Sequence, residues 1–120
     1  MKQINFYLRN LNENKKEGII AVDLDGTLAH YDKWRGYNHI GDPIPKMMNR
    51  VKRWIKSGRK VVIFTARAND GKKAIDPIKQ WLKDNDLPDL EITNIKTPEM
   101  TEFWDDRATG IKINTGDIKK

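Results

Sequence analysis

Four short runs, each leading into a polar residue, constrain this chain more than any other feature. Ile19-Ile20-Ala21-Val22 stops at Asp23, and Val61-Val62-Ile63-Phe64 stops at Thr65. The weaker Leu90-Glu91-Ile92-Thr93 leads to Lys96, and Thr101-Glu102-Phe103-Trp104 stops at Asp105. Short continuous apolar runs suit strands buried on both faces of a sheet. Helical spacing fills the intervals between them. Met47, Met48, Val51, Trp54 and Ile55 share one helical face, which predicts a helix over 46–57 that Gly58 would end. Ala74, Ile75, Ile78, Trp81 and Leu82 repeat the spacing and predict a helix over 72–85, with a start delayed by Pro77. Strands alternating with helices define an α/β domain built on a parallel sheet.

A chain of 120 residues is long enough for one such domain, so residues 1–120 read as a single unit with its core over 18–110. Residues 1–17 form an extension of unassigned role, with Ile4, Phe6, Tyr7 and Leu8 as a candidate short strand. Cysteine is absent, which excludes disulfides, thiolate catalysis and Cys-ligated zinc. No apolar run approaches a membrane span, and no apolar signal core precedes Gly18, so the expectation is a cytoplasmic protein with no membrane partner. The net charge of +6 favours phosphate-bearing partners through its summed field, or reflects only a solvated lysine-rich surface.

The chemistry gathers at the ends of the runs. Asp23-Leu24-Asp25-Gly26-Thr27 puts two carboxylates just past a buried strand, where neither can enter an apolar core unpaired. In an open parallel sheet the carboxyl ends of the strands form the ligand-binding edge. Thr65 would bring a hydroxyl to that edge, with backbone N–H groups at Thr65 and Ala66. Lys96 would bring a fixed positive charge, and Asp105-Asp106 a second acidic pair. Four carboxylates converging there repel one another, and a divalent cation relieves the repulsion. Oxygen-only ligation suits Mg²⁺.

The ordered set resembles the haloacid dehalogenase-like superfamily of phosphohydrolases over about residues 18–110. The Asp23-x-Asp25-Gly26-Thr27 element and Trp104-Asp105-Asp106-Arg107 carry most of that resemblance, with Thr65 and Lys96 in order between them. It implies a Rossmann-like three-layer α/β/α sandwich. It implies further that Asp23 is the nucleophile, that Asp25 is the general acid and base, and that Thr65 and Lys96 hold the phosphate. Mg²⁺ would be held by Asp23, the Asp25 backbone carbonyl, Asp105 and Asp106. The implied activity is hydrolysis of a phosphate monoester. The alternatives are a phosphotransferase on the same scaffold and a non-catalytic module that binds a phosphorylated partner.

Other residues stay open between two roles. Arg67 and Arg107 either grip a substrate anion or make ion pairs. Tyr31, Trp34 and Tyr37 either stack on a base or sugar ring or pack down the loop 30–42. His30 and His39 are ordinary loop histidines. The short interval between Thr27 and the first helix, and the single helix after Thr65, imply a capless or minimally capped version. An open site of this kind is expected to accept a terminal phosphate on a larger molecule, such as a nucleotide, a nucleic-acid end or a phosphoprotein, unless a partner subunit supplies the missing wall.

Overall fold

The computed structural model describes residues 18–120; Ile4, Phe6, Tyr7 and Leu8 lie outside them. The described elements are β1 (Ile19–Val22), α1 (Pro45–Lys56), β2 (Lys60–Phe64), a 3₁₀ turn (Ala66–Asp70), α2 (Lys72–Asp84), β3 (Ile92–Thr93) and β4 (Met100–Trp104). All four strands are parallel, in the order β3-β2-β1-β4, so the protein has an α/β fold on a parallel sheet. None of the described helices is long and apolar enough to cross a membrane.

The order of the strands matters for function. From β1 the chain steps outward to β2 and β3, then returns to the other side of β1 to lay down β4. The reversal point lies at the carboxyl ends of β1 and β4, where open α/β sheets leave a crevice. The register between these strands shifts at Ile19/Ile20, one residue of β4 being looped out. Pairing then continues past the end of β1, because Asp23 N–H donates to the Trp104 carbonyl at 2.9 Å.

The core lies on one face of the sheet. Ile20, Val22, Val61 and Ile63 point to it and meet Met47, Met48 and Val51 of α1 and Ile78 and Leu82 of α2. Trp54 of α1 packs on Trp104 of β4 with ring centroids 5.1 Å apart, and Trp81 packs against the same core. The opposite face carries Ala21, Val62 and Met100, flanked by Ile19 and Phe64. No described helix joins that second cluster, so the described residues do not supply the second helical layer of an α/β/α sandwich.

Both helices lie where their periodicity puts them, with one difference. α2 starts at Lys72 although Pro77 sits inside it. Gly71, at φ +72°, turns the chain, and its carbonyl accepts from Ala74 and Ile75 to close the first turn. Pro77 then costs only the helical partner of the Lys73 carbonyl, on an exposed turn. At α1, Pro45 occupies the first turn, where a missing N–H is harmless, and Gly58 at φ +91° ends the helix.

Candidate active site

Asp23, Asp105 and Asp106 meet at the reversal point. Each can place a carboxylate oxygen within 4.8 Å of the other two. Gly26 makes this approach feasible. Its φ of +90° suits glycine, and a Cβ there would stand 2.6 Å from Asp106 Oδ2. Thr27 ties the cluster together. Its hydroxyl lies 3.1 Å from Asp106 Oδ1 and 3.4 Å from Asp23 Oδ2, and it accepts from the Asp106 N–H at 2.9 Å.

Burial raises the pKa of Asp23 first, then a hydrogen bond with Asp106 and the charges of Asp105, Asp106 and Asp25, so that it reaches about 7. The three carboxylates offer oxygen ligands close enough together to hold a metal ion.

Asp25 has a different environment. Its carboxylate receives two bonds from Arg67, Nε to Oδ2 at 2.7 Å and Nη2 to Oδ1 at 2.8 Å. The same guanidinium donates to the carbonyls of Tyr37 at 3.3 Å and His39 at 3.0 Å. Arg67 is buried, at 7% exposed, and its remaining face lies 4.8 Å from the Trp34 ring centroid. Of the two roles left open for Arg67, the ion pair is formed, with Asp25 and away from the surface; the guanidinium also lines the cleft beside Asp23. It clamps the 30–42 loop to the acidic motif.

Thr65 lies at the end of β2, its N–H bonded to the Thr93 carbonyl at 2.9 Å. It is buried and its hydroxyl oxygen accepts from the Arg67 N–H at 3.2 Å. The hydroxyl proton is left to donate. Asp23, Asp25, Thr65, Ala66 and Arg107 line one cleft of about 920 Å³.

Lys96 does not line that cleft. Its ammonium lies 4.8 Å from the centroid of the Phe103 ring on β4. Phe103 pairs with Ala21, so its side chain belongs to the sheet face opposite the helices. The expectation that Lys96 orients Asp23 and holds phosphate is therefore not met in this arrangement. β3 ends at Thr93, and the loop before β4, not the strand, sets where Lys96 goes. Among the basic residues of the cleft, Arg107 is exposed, with its N–H on Asp105 Oδ1 at 2.8 Å.

The loop wall is the part that the residue pattern leaves open. Tyr37 O–H donates to Asp70 Oδ2 at 2.7 Å, and Trp34 meets Tyr37 edge-on at 5.1 Å. Trp81 Nε1–H donates to the Gly41 carbonyl at 2.9 Å. His30 and His39 are exposed, and His39 contributes its carbonyl rather than its imidazole.

Among known proteins, a solved structure of a conserved protein from Bacteroides thetaiotaomicron is similar. It is 25% identical, with 76% of this chain and 77% of that chain covered and a TM-score of 0.57. The likeness agrees with the α/β fold. No family model and no curated protein matches the chain.

Proposed function

We propose that this protein is a Mg²⁺-dependent phosphomonoester hydrolase of the haloacid dehalogenase-like type, working through an aspartyl-phosphate on Asp23. The observation that carries the reading is the meeting of Asp23, Asp105 and Asp106 at the switch point of a parallel sheet, beside Asp25 and Thr65.

A carboxylate oxygen of Asp23 attacks phosphorus, and the bond from phosphorus to the ester oxygen breaks. Asp25 gives its proton to the departing oxygen, then takes one from the water that attacks the aspartyl-phosphate and frees inorganic phosphate. Arg67 fixes the plane of Asp25, and each carboxylate oxygen keeps a second lone pair for the proton in transit. The Thr65 hydroxyl and the Ala66 N–H donate to non-bridging oxygens. Mg²⁺, held by Asp23, Asp105, Asp106 and the Asp25 carbonyl, would offset the repulsion between the nucleophile and an anionic ester. Lys96 has no part in this reading, and Arg107 is the exposed cation of the cleft.

Hydrolysis of p-nitrophenyl phosphate tests it. Turnover should require Mg²⁺ and vanish in Asp23→Asn. In Asp25→Asn it should fall about 10²–10⁴-fold with little change in Mg²⁺ affinity. The position of Lys96 and the occupied Asp25 favour one rival, a module that binds a phosphorylated partner without turnover. Absence of hydrolysis across a panel of phosphate monoesters with Mg²⁺ and Mn²⁺ would sink the enzyme reading and favour that module.

A further inference from the structure

We infer that the wall formed by Trp34 and Tyr31 is a stacking subsite for a nucleobase, so that the ester handled at Asp23 is a nucleotide-type phosphate. The inference rests on the phosphohydrolase reading for its reaction, but not for its binding.

Three observations point to it. First, Trp34 and Tyr31 line the same cleft as Asp23, and they stay 51% and 45% exposed. Tyr37 makes up the rest of the wall, but its hydroxyl and ring are engaged by Asp70, Lys73 and Trp34. Aromatic rings this exposed beside polar groups offer contact surface to a ligand.

Second, the loop is tied down just past Trp34, and Trp34 itself rests on Arg67 and Tyr37. Arg67 holds the carbonyls of Tyr37 and His39, Trp81 holds that of Gly41, and Asp70 holds the Tyr37 hydroxyl. A ring fixed in advance costs little entropy when a ligand stacks on it.

Third, the Arg67 guanidinium selects what stacks. Its charge lies 4.8 Å from the Trp34 ring centroid, and Tyr37 packs perpendicular to the same ring. A second cation at the exposed part of the indole would be repelled by that charge, whereas a flat neutral ring would not. The guanidinium also stands between Asp25 and Trp34. The exposed amides of Asn69 and Asn94 line the cleft and offer both donors and acceptors to a base edge.

The test compares AMP with ribose 5-phosphate, which differ only in the base. The ratio of their kcat/KM values should be about tenfold or more in the wild type. It should fall towards one in Trp34→Ala and be largely kept in Trp34→Phe. A wild-type ratio near one, or a ratio unchanged by Trp34→Ala, overturns the subsite while leaving the phosphatase reading intact. If neither ester is hydrolysed, the phosphatase reading is decided by the wider panel of phosphate monoesters. The same ratio, measured by calorimetric binding of AMP and ribose 5-phosphate to the wild-type protein with Mg²⁺, then decides the subsite alone. A 5′-phosphorylated tetranucleotide outperforming AMP assigns the base to a polynucleotide end, and the reverse assigns it to a free nucleotide.

Discussion

Asp23 and Asp25 stand two residues apart on one turn, yet they occupy opposite electrostatic settings. Asp23 faces Asp105 and Asp106, and its own burial and their charges resist its ionisation. Asp25 faces Arg67, which answers both of its oxygens and two loop carbonyls besides. Among the described residues, one half of the site is thus charge-paired, and the other gathers carboxylates. A preorganised half can position a substrate and a proton. An acidic half whose nucleophile resists ionisation would gain from the cation proposed for it, because the repulsion is relieved on binding.

The charge-paired half should fail most severely when its arginine is removed. Arg67→Met strands the partly buried Asp25 carboxylate and frees the loop, and should cost about 3 kcal/mol in urea unfolding. Arg67→Lys should recover less than half of that, because one ammonium cannot span two oxygens and two carbonyls. A loss under about 1 kcal/mol would erase the contrast, since Asp25 would then need no partner.

The acidic half should yield to a change of one methyl group. Gly26→Ala meets both a positive φ and the Asp106 carboxylate, and should cost about 2 kcal/mol. It should also shrink the rise in Tm that Mg²⁺ produces, because Asp106 must move away. Full retention of that rise would show that Asp106 does not need its present place.

A smaller effect follows from pH. A carboxyl group whose folded pKa is raised stabilises the fold while protonated and loses that contribution as pH climbs. For Asp23 the loss runs from about pH 4 to about pH 7. The metal-free protein should therefore weaken over that window by about 1–2 kcal/mol, allowing for solvent screening at a partly exposed group. Asp23→Asn should flatten this slope, and Mg²⁺ should raise Tm more at pH 8 than at pH 5. Equal shifts at both pH values would separate the cation from Asp23.

The contrast explains what could be read ahead of the structure. The strands β1 and β2 and the two helices follow from local apolar spacing, and Asp23, Asp25, Thr65 and Asp105 are placed by strand ends alone. Arg67 was visible as a cation but not as the partner of Asp25. The signal was faint: each lies three residues past its strand, Val22 and Phe64 being the ends of neighbouring parallel strands. Lys96 was misleading because β3 is only two residues long, Ile92–Thr93, so the loop that follows sets the geometry. The wall of aromatic residues was ambiguous because stacking a ligand and packing a loop call for the same residue types.

The smallest expected effect sharpens the comparison furthest. The bond from the Tyr37 hydroxyl to Asp70 is exposed, and Tyr37→Phe should cost no more than about 0.5 kcal/mol of global stability. Local opening gives a finer reading, because the loop contains Lys33 and Arg35, both cleavable by trypsin. If Arg67 is the principal clamp, native-state proteolysis there should hardly change in Tyr37→Phe and should rise steeply in Arg67→Met. Equal acceleration in both would mean that the loop is held by a chain of equal links, and the charge-paired half of the site would then be only as strong as its weakest surface contact.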